Sequence, residues 1–195
     1  MSGAGPSVGD QRLMVTRILW GAITFTVFIY GFILHLTGHG NLNPVREGMD
    51  LSLPLALGVM SASVAVVSFV LPARVFRQSA ERLARSLKVT DTVNVVMPGE
   101  ERGFRSAPSS SKVYENGSAA LAVAFTAFQT PFILGIALSE SIVINGFLLG
   151  FLGYGLRFAA PFFAVGLALL LVRFPTKDRV IGMFEAATRV RMPPV

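Results

Sequence analysis

The sequence contains no cysteine, which excludes disulfides, thiolate catalysis and cysteine-ligated zinc or iron–sulfur centres. Its two histidines, His35 and His39, are four residues apart, a spacing that can place both imidazoles on one helical face. Only Glu47 and Asp50 follow closely enough to act as further ligands, so we predict neither a metal site nor a cofactor. The phosphate-binding Gly-rich loop, the Gly-x-Ser-x-Gly elbow and the His-Glu-x-x-His motif are also missing. We therefore expect a protein that is not an enzyme.

Charged residues are scarce, at 14% of the 195 residues, whereas 52% are hydrophobic. The apolar residues form blocks that, at 1.5 Å per helical residue, are long enough to cross a hydrocarbon core of about 30 Å. We predict an all-α membrane protein, a bundle of four transmembrane helices at about residues 18–36, 51–71, 128–153 and 158–172. The spans and their connections form a membrane domain over residues 15–175. Outside the spans we expect a flexible N-terminus (1–14), a cytoplasmic loop (73–117) and a cytoplasmic amphipathic tail (176–195).

The net charge of +6 arises from basic residues that lie beside the apolar blocks. Membrane orientation and contact with anionic lipid explain such charges more simply than nucleic-acid binding does. Eight Lys and Arg residues fall in residues 73–117 and five in residues 173–195. By the positive-inside rule we predict a multi-pass protein of a bacterial inner (plasma) membrane, with both termini and the middle loop in the cytoplasm.

A second pattern follows the second apolar block, which we expect to end at Pro72. Residues 75–88 have apolar side chains at helical spacing, at Phe76, Ala80, Leu83, Ala84 and Leu87. The basic residues here are Arg74, Arg77, Arg82, Arg85 and Lys88. This pattern predicts a basic amphipathic helix that rests on the headgroups of an anionic cytoplasmic leaflet.

The stretch from residue 116 to residue 156 contains a single charged side chain, Glu140. In a membrane helix this acid would lie near the bilayer midplane, where a charged carboxylate costs at least about 2.5–3.5 kcal/mol. We therefore expect a paired or a protonated carboxyl. Four glycines fall along one stripe of the same helix, and we predict that they pack against another helix: Gly135, Gly146, Gly150 and Gly153.

The polar neighbours of Glu140 suggest two roles for it. Ser139, Ser141 and Asn145 could form a small polar cluster with the acid, able to hold an ion or a proton. Alternatively, Glu140 is a structural acid that hydrogen-bonds a neighbouring helix and fixes packing, or it contacts a partner subunit. The candidate partners on neighbouring helices are Thr24, Thr26, Tyr30, Ser61 and Ser63.

Residues 135–152 read Gly-Ile-Ala-Leu-Ser-Glu-Ser-Ile-Val-Ile-Asn-Gly-Phe-Leu-Leu-Gly-Phe-Leu. This segment resembles the ion-carrying helix of rotary ATP synthase c subunits, which has a similar apolar run, a Glu and a later Gly. In that family the acid binds and releases the transported proton or sodium ion, and the resemblance implies this role for Glu140. The family also has a glycine-repeat helix just before this one, and residues 119–130 lack such a repeat.

As a whole, the chain resembles small four-span inner-membrane proteins of bacteria that have no assigned activity. We therefore expect a non-catalytic integral membrane protein, a subunit or scaffold whose partners are other membrane subunits or further copies of itself. The alternative is a c-subunit-like protein that translocates an ion or proton, or senses protons, through Glu140.

Overall fold

The structure is a computed structural model that describes residues 8–37, 50–93 and 110–193. Five helices account for most of these residues: α1 (Val8–Leu36), α2 (Ser52–Ala84), α3 (Gly117–Leu149), α4 (Leu156–Val172) and α5 (Lys177–Thr188). A π-helical turn, Gly150–Tyr154, extends α3. Strands β1 (Val89–Val93) and β2 (Ser110–Tyr114) pair antiparallel, with Val89 opposite Tyr114. Residues 89–97 alternate weakly between apolar and polar side chains, a pattern that fits β1, whereas β2 lies in a part of the predicted loop 73–117 with no such pattern.

Within the described residues, three helices are long and apolar enough to cross a membrane: α1, α2 and α3 with its π-helical turn. Helix α4 has only 17 residues. It qualifies as a fourth when it is taken together with α5, from which it is bent by 77°. The prediction of several apolar helices of spanning length is thus confirmed for three helices. It holds for a fourth if α4 and α5 are counted as one bent span.

Helix α3 contacts α1, α2 and α4 along its length. It runs parallel to α1, since Arg12 reaches the Ala122 carbonyl at 3.3 Å near one end and Leu34 lies against Gly150 near the other. Helices α2 and α4 run antiparallel to it. On α2, Phe76 packs on Phe128, and the Asp50 carbonyl that precedes the helix accepts a 3.0 Å hydrogen bond from the Tyr154 hydroxyl.

The close approach of α3 and α4 depends on glycine. A Cβ on Gly166 of α4 would lie 2.3 Å from a methyl of Val143, and one on Gly146 of α3 would lie 2.6 Å from the Cβ of Phe162. The connection between the two helices uses glycine for a different reason. Gly153 (φ 89°) and Gly155 (φ 79°) adopt positive φ angles that L side chains rarely tolerate. This confirms the tight turn expected there.

One predicted boundary is wrong. The N-terminal segment is helical from Val8 onwards, so at least residues 8–14 belong to α1 and not to a flexible tail. Residues 1–7 lie outside the described part. Helix α2 runs without a break from the predicted second span, 51–71, into the segment predicted as an amphipathic helix, and it ends at Ala84. Helix α3 likewise passes through Pro131, so residues 118–127 belong to the same helix as the predicted third span.

The apolar stripe of the second half of α2 packs on protein instead of lipid. Phe76 and Ala80 are fully buried in a cluster with Phe128 of α3, Tyr114 of β2 and Phe184 of α5. The physical reason is that the hairpin and α5 fold back onto this face and bury it. The basic residues predicted for the membrane surface are exposed: Arg74, Arg77, Arg82, Arg85 and Lys88. Helix α5 begins as predicted, with the Thr176 hydroxyl accepting from the Arg179 N–H.

We predict that Gly166→Ala destabilises the protein by about 1–3 kcal/mol, because the added methyl forces two packed backbones apart. Gly21→Ala is the matched control, since a Cβ there meets nothing within 4 Å. Thermal unfolding in detergent, followed by circular dichroism, measures both. Equal melting temperatures for the two variants would contradict the close α3–α4 contact.

Candidate functional site

Glu140 is half-buried between α3 and α1. Its Oε1 lies 3.0 Å from the Thr26 hydroxyl, which is also 2.7 Å from the carbonyl of Ile23 in its own helix. Thr26 is one of the partners expected for a structural acid. No cation of the described residues lies within ion-pair distance of this carboxyl, since the one ion pair found there joins Arg77 to Glu81.

The Thr26 hydroxyl lies within donating distance of two acceptors, the Ile23 carbonyl of its own helix and Oε1 of Glu140. A threonine hydroxyl carries one hydrogen, so it donates to only one of them at a time. The contact between α1 and Glu140 therefore competes with a hydrogen bond inside α1.

Ser139 is fully buried and points away from Glu140, towards α2 and the end of α4. Its hydroxyl donates to the Gly135 carbonyl at 2.9 Å and accepts from the guanidinium of Arg173. Arg173 also donates to Ser68, reaching its carbonyl at 2.7 Å and its hydroxyl at 2.9 Å. One half-buried arginine therefore joins α2, α3 and the end of α4.

The Arg173–Ser68 bond explains how α2 passes through Pro72. Proline has no N–H, so the carbonyl four residues earlier loses its helical partner. That carbonyl belongs to Ser68, and Arg173 supplies the missing donor. Sequence reasoning missed Arg173 because a basic residue just after an apolar span is the ordinary signature of a membrane boundary. The available signal was Pro72 inside an apolar block, four residues after Ser68, because the Ser68 carbonyl then needs a donor from elsewhere.

The predicted polar cluster does not form. The Asn145 amide donates to the Ser61 hydroxyl of α2 at 2.9 Å, and both side chains are buried. The Ser141 hydroxyl donates to the Leu138 carbonyl of its own helix at 2.8 Å. Residues 139, 140 and 141 point to different sides, because consecutive residues of a helix are about 100° apart. The four predicted site residues make separate contacts.

Three of the four predicted packing glycines lie at helix contacts. Gly135 faces Arg173, Gly146 faces α4 and Gly150 faces Leu34 of α1. Gly153 is instead an exposed turn residue.

Among the described residues there is no group of three or more His, Asp or Glu that could hold a metal ion. His35 is exposed at the end of α1, while His39 and Glu47 lie outside the described residues. Asp50 is engaged at the start of α2, where it accepts hydrogen bonds from the N–H and the hydroxyl of Ser52. These bonds hold the pKa of the exposed Asp50 carboxyl below its ordinary value.

We predict that Asn145 and Ser61 are energetically coupled across α3 and α2. A double-mutant cycle of Asn145→Ala and Ser61→Ala should give a coupling of about 0.6–1.7 kcal/mol, the range measured for hydrogen bonds between membrane helices. Ser63→Ala is the control, because that exposed hydroxyl bonds within its own helix. Additive effects of Asn145→Ala and Ser61→Ala on unfolding would refute the interhelical bond.

No protein-family model, curated protein or solved structure matches the chain. Inferences about its function therefore rest on its own residues.

Proposed function

We propose that this protein is a non-catalytic integral membrane subunit or scaffold, a bundle of four membrane-crossing helices. The observation that carries the proposal is the dispersal of the polar groups of α3. Glu140 pairs with α1, Asn145 with α2, and Ser139 with the arginine that follows α4. Each group holds a neighbouring helix, whereas an ion site needs several oxygen ligands that converge on one point.

The charge distribution supports a cytoplasmic position for the hairpin, α5 and the second half of α2. The exposed basic residues of α2 and the guanidinium groups of Arg173 and Arg179 lie at this end. The exposed large apolar side chains of α2 are confined to residues 51–71. Both termini then lie on the cytoplasmic side of an inner membrane, as the positive-inside rule requires.

A groove between α2 and α4 supports a partner within the membrane. It has a volume of about 270 Å³, and its walls include the small residues Gly58, Ala62 and Ala65 beside Phe162 and Val165. Small residues allow a second helix to approach closely. The partner is a helix of another membrane subunit or of a second copy.

A second candidate function is proton carriage through Glu140. The surroundings of Glu140 favour it, because this half-buried acid contacts the Thr26 hydroxyl and has no cation within ion-pair distance among the described residues. The resemblance of residues 135–152 to the ion-carrying helix of c subunits points the same way. A sodium ion would find only one oxygen partner at hydrogen-bonding distance from Glu140 among the described side chains.

For a scaffold, we expect proteoliposomes with the unchanged protein and with Glu140→Gln to show the same proton flux as empty vesicles. The two proteins should also have similar melting temperatures. The glutamine amide oxygen can accept the same hydrogen bond from Thr26, so little stability is lost. Thr26→Val is the companion variant, and it should cost about 1 kcal/mol of unfolding free energy. The carrier would replace the scaffold proposal if the unchanged protein conducts protons, Glu140→Gln abolishes this flux and a carbodiimide labels Glu140.

We expect the protein to be recovered from mild detergent as a complex, and Ala62→Trp to dissociate it by filling the groove. Ala56→Trp, on an exposed part of α2 that does not line the groove, should leave the complex intact. Affinity capture followed by size-exclusion chromatography with light scattering gives the mass. A stable monomer from native membranes would contradict the subunit role.

A further inference from the structure

A cavity of about 140 Å³ lies where α2, α3 and the α4–α5 junction meet. Two guanidinium groups line it, those of Arg173 and Arg179, and the rest of its wall is mainly apolar, including Phe69, Phe128 and Val172. The Arg179 guanidinium donates to the Val172 carbonyl at the end of α4, which holds it beside Arg173. Two cations thus share one small, largely apolar space.

Neither arginine has a carboxylate partner within 4 Å among the described residues. The hydrogen bonds of Arg173 go to neutral oxygens of Ser68 and Ser139, and its guanidinium also lies 5.2 Å from the centre of the Phe69 ring. A half-buried cation without a counter-charge is costly. Arg173 is the half-buried one and Arg179 is exposed, so an anion from outside the chain would remove this cost at Arg173 while pairing with both charges.

The position of the cavity identifies the anion. Arg173 directly follows the last residue of α4, so it marks the level at which the apolar part of that helix ends. On the membrane side, Phe69 and Val172 are 55% and 58% exposed. Two arginines in the wall of the cavity and exposed apolar side chains beside it complement a phosphate joined to acyl chains. A free phosphate ion has no apolar group that could pack against the apolar walls.

We propose that this cavity binds the headgroup phosphate of an anionic phospholipid. Arg173 and Arg179 hold the phosphate oxygens, as arginine forks commonly do, and the first part of an acyl chain lies along Phe69 and Val172. This site is distinct from the exposed basic face of α2. It depends on the proposed membrane placement but is independent of the role of Glu140.

The test uses the full chain, delipidated in detergent, with phosphatidylglycerol, phosphatidylcholine or inorganic phosphate added. Native mass spectrometry counts bound lipid, and thermal unfolding gives the shift in melting temperature. We expect phosphatidylglycerol to bind and to stabilise more than phosphatidylcholine does. Arg179→Gln should weaken this binding about tenfold. Arg74→Gln, the matched control on the exposed basic face of α2 outside the cavity, should weaken it much less.

Arg179→Lys separates charge from folding, since it keeps a cation in the cavity, and it should retain more lipid than Arg179→Gln. Equal losses for Lys and Gln would mean that the effect is structural, and the proposal would be overturned. It would also be overturned if both phospholipids bind equally or if Arg74→Gln loses as much lipid as Arg179→Gln. If inorganic phosphate at the same concentration gives the full stabilisation, the site takes free phosphate and the lipid assignment is wrong.

Discussion

The arrangement of the helices depends on one hydrogen bond, from Arg173 to the Ser68 carbonyl that Pro72 leaves unpaired. In an apolar environment an unpaired backbone carbonyl costs several kcal/mol, so α2 can continue through Pro72 only where another donor reaches it. Arg173 is placed by the end of α4, and its other contact, the Ser139 hydroxyl, lies on α3. The arginine that completes the backbone hydrogen bonding of α2 therefore also positions α3 and α4.

The same requirement governs the rest of α3. Three of its polar side chains find partners on other elements: Asn145 contacts Ser61, Glu140 contacts Thr26 and Ser139 contacts Arg173. Glycine determines how near those elements come, since Gly146 and Gly166 leave no room for a Cβ. Polar groups that hold three different neighbours do not converge on a transported ion. This is why the dispersal of these groups bears on function.

The sequence predicted what depends on local pattern and missed what depends on long-range contact. The length of the apolar blocks identified the helices. Thr176 indicated the start of α5, and Gly153 with Gly155 indicated the turn between α3 and α4. Strand β2 was missed because Ser110–Tyr114 has a serine-rich start typical of loops, and it becomes a strand only by pairing with β1. The polar cluster around Glu140 was expected from closeness in sequence, whereas the partners of residues 139, 140 and 145 lie on three other elements.

The length of α2 and α3 explains why the amphipathic stripe does not rest on lipid. Each has 33 residues, or about 50 Å at 1.5 Å per residue, which exceeds a hydrocarbon core of about 30 Å. Because the two helices are antiparallel and in register, the proposed membrane placement puts the C-terminal end of α2 and the N-terminal end of α3 beyond the apolar region on the same side. Two adjacent helices with apolar inner faces would need a cover there, and α5 and the hairpin provide it through Phe184 and Tyr114. A change in how α3 packs on its neighbouring helices would be carried along a continuous helix to this folded unit, which suits the proposed scaffold role.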